Sequence, residues 1–266
     1  IKTLSMFRRL CDANHVDKIF AYATAAVRRA KNQKSFLDEV AMTCGIKIKV
    51  LTVEEQALLI YQGVINSMDI PKGLIMEMGG GSTNLIYYNR RNLIHYETLP
   101  FGTVTLTDLF KSYSSEPETR ADKIEAFIGE QLDKISWLDS IEPDTAFVGV
   151  GGAFRNLGRI SRMVRKYPFN MTHGYEIPMA EFDGITISGC GLREGAMFRY
   201  AVPGVGERPL TDVLGHSLHT QMKYYDVNVN HAEHVYNLCI QLFKQLKVLH
   251  KMPRMYVRVL KIAALM

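Results

Sequence analysis

Gly73-Leu74-Ile75-Met76-Glu77-Met78-Gly79-Gly80-Gly81-Ser82-Thr83-Asn84-Leu85-Ile86-Tyr87-Tyr88 reads as strand, glycine turn, strand, with an acid before the turn and hydroxyls after it. Three consecutive glycines let backbone N–H groups converge where any Cβ would obstruct, which is how a chain builds an anion nest. Ser82 and Thr83 add hydroxyl donors, and Glu77 is placed to hold a metal ion or a water. No lysine follows the glycines, so this is not a Walker A loop, and no helix follows, so it is not a dinucleotide fingerprint. A plain hairpin turn needs fewer glycines than this. The stretch therefore predicts a phosphate loop.

Before it, strands and helices alternate, which implies an α/β layer structure. Ile1, Leu4, Phe7 and Cys11 fall at helical spacing. Lys18 to Ala23 reads as a short buried strand, and Thr24 turns the chain into a second helix running through Phe36, Val40 and Met42 to a cap at Gly45. Ile46 to Val50 alternates as a strand, and Thr52 opens a third helix with Glu54 and Glu55 in its first turn. Ala57, Ile60, Tyr61 and Val64 form its apolar face.

Beyond the hairpin come a strand at Leu93 to Leu99, a helix carrying Leu106, Leu109, Phe110 and Tyr113, a polar loop at Ser114 to Glu118, and a long helix through Ile124 and Leu132. Thr145 to Val150 is a buried strand that runs straight into Gly151-Gly152 and another helix, the junction that presents helix N-terminal amides to an anion. Arg155 sits in that helix's first turn, where a cation is unfavourable to the dipole and so has a ligand reason. Ile185 to Ser188 leads into Gly189-Cys190-Gly191-Leu192-Arg193-Glu194-Gly195. From Pro203 the pattern becomes purely helical, with an apolar face of Ala232, Val235, Tyr236, Cys239, Phe243 and Leu246. His231 and His234 lie three apart there, and without a third ligand they read as helix surface.

With 266 residues, 47% hydrophobic and 22% charged, the chain can bury a substantial core. The net charge of +5 suits a polyanionic ligand and is no nucleic-acid signature. Four scattered cysteines without a C-x-x-C pair argue for reduced thiols in a cytoplasmic protein. No apolar run reaches transmembrane length, so no membrane partner is expected.

Several segments together resemble the exopolyphosphatase / guanosine pentaphosphate phosphohydrolase family. They are Ala23-Thr24-Ala25-Ala26-Val27-Arg28, Glu54 to Val64, Met78-Gly79-Gly80-Gly81-Ser82-Thr83, Leu99-Pro100-Phe101-Gly102-Thr103-Val104, Gly149-Val150-Gly151-Gly152 and Gly191-Leu192-Arg193-Glu194-Gly195. They occur in the family's order and spacing to about Tyr200. The resemblance implies an actin-like ATPase fold of two ribonuclease-H-like α/β domains. By it, residues 1–70 belong to a first domain whose N-terminal strands are missing, 71–202 to the second domain with the glycine loop, and 203–266 to a helical region like the start of a His-Asp phosphohydrolase domain.

The function it implies is a Mg²⁺-dependent phosphohydrolase of bacterial type that releases terminal phosphate from polyphosphate or guanosine pentaphosphate. Carried over by position, Gly79, Gly80, Gly81, Ser82, Thr83, Gly151 and Gly152 would hold phosphates, Arg28 and Arg155 would neutralise them, and Glu77 would serve the metal. The helical tail offers a surface for a homodimer contact. Three departures stand against full activity. The family's proposed catalytic glutamate falls on Gln56, which cannot accept a proton, and loss of a general base costs about 10²–10⁴ in rate. Glu55 is adjacent, but neighbouring helical residues point about 100° apart. Asn84 stands where the family has a glutamate. Between Pro178 and Ile185 the family also has a further stretch of helix. The alternative expectation is a catalytically weakened homologue that binds such ligands as a sensor or regulator.

Overall fold

A computed structural model describes residues 1–113, 115, 117–168, 170–177, 184–200 and 209–265. Two compact units emerge, residues 1–209 and 210–266. The expected boundary at 202/203 and the joint between Pro178 and Ile185 fall outside the described residues.

The first unit opens with α1 (Lys2–Ala13), β1 (Ala21–Ala23), α2 (Ala25–Arg28), α3 (Gln33–Cys44) and β2 (Ile48–Val50). β1 and β2 pair in parallel, Ala21 against Ile48 and Ala23 against Val50. The strand expected from Lys18 is confined to Ala21–Ala23 and only half buried, because its one partner is itself three residues long. The helix expected to run from Thr24 to Met42 is two helices. Turn bonds from Ala30 N–H to Val27 and from Gln33 N–H to Ala30 interrupt it, and Gln33 Nε2 donates to the Val27 carbonyl at 3.0 Å. Asn32, a residue that competes poorly in helix interiors, starts the second piece. Gly45 ends α3 in the left-handed conformation at φ 63°.

α4 (Val53–Ile65) starts at a capping box: Glu55 N–H donates to Thr52 Oγ1, and Thr52 N–H to Glu55 Oε2, both at 3.0 Å. Its face of Ala57, Ile60, Tyr61 and Val64 is buried against Ile75, Ile86, Tyr88, Val148 and Val150. Those residues belong to a six-stranded sheet built from β3 (Gly73–Met78), β4 (Thr83–Asn89), β5 (Asn92–Leu99), β6 (Ala146–Val150), β7 (Tyr175–Ile177) and β8 (Ile185–Ser188). Its order is β5-β4-β3-β6-β8-β7. β3 and β4 form the expected antiparallel hairpin, while β3, β6 and β8 run parallel.

Side chains alternate across a strand, so Leu85 and Met76 face away from Ile86 and Ile75. They enter a second core with Leu99, Phe101, Leu106 and Ile135. α5 (Thr103–Leu109) and α6 (Pro117–Leu132) supply Leu106, Ile124, Phe127, Ile128 and Leu132 to it. α7 (Gly152–Val164) follows β6, and α8 (Leu192–Tyr200) follows β8. β7 and α8 are not among the elements read from the sequence, and the glycines at α8 pack against another helix. Their role is tertiary: a Cβ at Gly195 would lie 1.6 Å from the Leu59 carbonyl oxygen, and one at Gly63 would lie 2.1 Å from that of Gly191. α4 and α8 therefore touch backbone to backbone.

The second unit is helical, as the pattern predicts: α9 (Val213–Tyr224), α10 (Val229–Gln245), α11 (Lys247–His250) and α12 (Tyr256–Leu265). Its core is Leu218, Met222, Ala232 and Leu265. No helix of the described residues is long and apolar enough to cross a membrane.

Candidate functional site

The parallel strands β3, β6 and β8 end on one side of the sheet, with Glu77 registered beside Val150 and Val150 beside Ser188. In open α/β sheets the carboxyl ends of such strands are where ligands gather. A cavity of about 750 Å³ lies there, within the range of small-molecule sites. Glu77, the glycines 79–81, Ser82, Gly151, Gly152 and Arg155 line one side, and Thr24, Ala25, Arg29, Gln56, Arg193 and Glu194 complete it.

The glycine loop is tied from behind by the start of α5. Thr103 N–H donates to the Gly79 carbonyl and Val104 N–H to that of Gly80, both at 2.9 Å. Gly79 N–H closes the turn onto the Ser82 carbonyl at 2.9 Å. The N–H groups of Gly80, Gly81 and Ser82 have no protein partner among the described residues and remain free for an anion. Thr83 does not line the cavity. It is fully buried, and its Oγ1 donates to the Phe101 carbonyl at 2.8 Å, which anchors the loop's exit.

Across from the loop, Gly151 takes φ 96°, a conformation that suits glycine, and starts α7 with no side-chain cap. The first amides of that helix stand at the cavity, and the exposed Arg155 stands with them.

Besides Thr83, Arg28 and Glu55 are expected site residues that the fold takes elsewhere. Arg28 Nη1 donates to the Leu51 carbonyl at 2.7 Å and to Gln56 Oε1 at 3.3 Å, so it braces the cavity wall from behind. Arg29, which sequence reasoning passed over, is exposed at the cavity and reaches the Gly81 carbonyl at 3.4 Å. The reason is that α2 is only four residues long, and one residue of helix rotates a side chain by about 100°. Glu55 is spent on the capping box and on Lys49 at 2.5 Å, and this pairing holds its carboxyl below the usual range.

Gln56 and Asn84 are both buried beside Glu77, and Asn84 hydrogen-bonds to it. Asn84 Nδ2 donates to Glu77 Oε2 at 2.8 Å, and Thr98 Oγ1 donates to Asn84 Oδ1 at 2.7 Å. Burial pushes the Glu77 carboxyl above its ordinary range, against the pull of the Asn84 and Gln56 hydrogen bonds and the Arg155 charge. Glu194, also missed, accepts from Gly191 N–H at 2.8 Å and pairs with Arg193 at 2.6 Å. No group of three or more His, Cys, Asp or Glu side chains converges anywhere among the described residues.

The model of the Ppx/GppA phosphatase family matches residues 1–185, well over half of the chain. The chain belongs to that family. The Ppx/GppA architecture is the actin-like ATPase fold, and solved structures agree. The Aquifex aeolicus member of the Ppx/GppA family superposes with a TM-score of 0.61 at 24% identity, over 74% of this chain and 78% of that one. An exopolyphosphatase from Cytophaga hutchinsonii gives 0.61 at 19% identity, over 74% and 79%. A bifunctional 3-dehydroquinate synthase/phosphatase of Fusobacterium nucleatum is 25% identical over 182 residues, covering 65% of this chain. This chain spans about a quarter of that relative's length, 27%.

Proposed function

We propose that the cleft grips the terminal phosphates of a linear phosphoanhydride, polyphosphate or guanosine pentaphosphate, and hydrolyses the outermost one slowly. Phosphoryl transfer asks mainly for positioning and charge neutralisation, plus a group that orients the attacking water. Free loop amides, the start of α7, Arg29 and Arg155 supply the first two. In this reading the amides of Gly80 to Ser82 hold equatorial oxygens of the terminal phosphate, and the arginines meet the charge along the polyanion.

The observation that carries the slow step is Gln56. Its carbonyl accepts from Arg28, and an uncharged carboxamide is far too weak a base to take a proton from water at this wall. Glu55 does not replace it, being turned to Lys49 and Thr52. The protein then spends most of its time holding its ligand, which suits a sensing or regulatory role.

The test is phosphate release from polyphosphate and from guanosine pentaphosphate in Mg²⁺, comparing the unmodified chain with Gln56→Glu. The glutamate should speed release by about 10²-fold, the lower end of what a positioned general base contributes. Rapid release by the unmodified chain with no gain in the variant would remove the slow-enzyme reading, and absence of any polyphosphate binding would remove the site.

A further inference from the structure

The ionised side chains lining the cavity are Arg29, Arg155, Arg193, Glu77 and Glu194. Arg193 and Glu194 neutralise each other as a pair, and Glu194 is further held by Gly191 N–H. What faces a ligand is therefore two arginines and one carboxylate. That carboxylate does not present the surroundings of a metal ligand. Asn84 directs its NH₂ group at Glu77, and it is held in that orientation because its carbonyl oxygen is taken by the Thr98 hydroxyl. Gln56 also lies beside Glu77, and its carbonyl oxygen accepts from Arg28 at 3.3 Å, which leaves the NH₂ group as the end available to the carboxylate.

Mg²⁺ requires oxygen lone pairs in a near-octahedral shell, and amide nitrogens supply none. To ligate through these amides both would have to turn over: Gln56 would set its NH₂ group against Arg28, which can only donate, and Asn84 would give up its bond to Glu77. The residues present do not fit a protein-held Mg²⁺, whatever the family resemblance implies.

We propose that this cleft takes its phosphoanhydride as the free polyanion, without a divalent cation, because two oriented carboxamides answer the charge of Glu77 where a metal would. The proposal rests on the phosphoanhydride reading above. It makes Gln56 and Asn84 determinants of the ligand's form: with both neutral, the two arginines outweigh Glu77 and the bare anion is attracted. A second carboxylate at either place would cancel that excess and call for a cation.

Calorimetric titration with inorganic tripolyphosphate, once in EDTA and once in excess Mg²⁺, tests it. The expected dissociation constant in EDTA is within about threefold of that in Mg²⁺, and Mn²⁺ alone should give no bound signal by electron paramagnetic resonance. Gln56→Glu should weaken binding in EDTA by about tenfold or more, with Mg²⁺ restoring it, and Asn84→Asp should do the same if the first variant fails to fold. Binding by the unmodified chain that weakens more than about tenfold in EDTA overturns the proposal and leaves the phosphoanhydride reading standing. So does Mn²⁺ bound in the absence of phosphate and lost in Glu77→Gln. Folded variants that bind equally well with and without metal overturn the role given to the carboxamides. No binding in either buffer removes the phosphoanhydride reading first, and this proposal with it.

Discussion

Alanine at Gly195 should cost the first unit about 3 kcal/mol or more and lower its Tm by roughly 10 °C. Its Cβ would stand 1.6 Å from the Leu59 carbonyl oxygen and 2.9 Å from the Gly63 nitrogen. Neither neighbour is the flexible end of a side chain, so α4 and α8 can relieve the clash only by separating. That separation would loosen the packing of Ile60, Tyr61 and Val64 against the sheet, which forms the main core. Gly129 supplies the control. It lies within α6 and has nothing within 4 Å of the added carbon, so alanine there should raise stability by about 0.5–1 kcal/mol. Urea unfolding of the two variants measures both. Equal effects at the two positions would mean that the helices are not in backbone contact.

Gly102→Ala is expected to weaken tripolyphosphate binding by about 100-fold, the cost of misplacing a positioning element by about 1 Å. The added carbon would meet the Gly79 carbonyl oxygen at 2.3 Å and the Gly80 carbonyl carbon at 2.7 Å. These carbonyls are also the acceptors for the first amides of α5, so the loop and the helix start would be forced apart together. The loss should appear in calorimetric affinity while the far-ultraviolet circular dichroism spectrum keeps its helical content. Unchanged affinity would show that the loop of Gly79 to Ser82 does not hold the phosphate.

The contrast between these glycines explains what the sequence could reveal. Gly79 to Gly81 stand between two strand patterns and in front of two hydroxyl residues, so a local reading finds the loop. Gly151 is likewise visible, because a buried strand runs into it and a helix runs out. Gly63, Gly102 and Gly195 leave no local mark, since what requires them is the backbone of another element. The same division runs through the polar residues. That Gln56 and Glu55 differ in direction follows from helix geometry, and the capping box fixes which one faces out. That Arg29 rather than Arg28 meets the cavity depends on how tightly a four-residue helix turns before the chain leaves it. Asn84 reads in sequence as a lost charge. Only the register, Glu77 opposite Asn84, turns it into a donor to the carboxylate.

Gln56 rides on α4 and Glu194 on α8, the two helices that meet without intervening side chains. Side-chain interfaces slide by repacking rotamers, but a seam of main chain against main chain has none to repack. That wall of the cleft behaves as an anvil. Adjustment to polyanions of different length falls to the opposite lip, where a long 3.4 Å hydrogen bond runs from Arg29 to the Gly81 carbonyl.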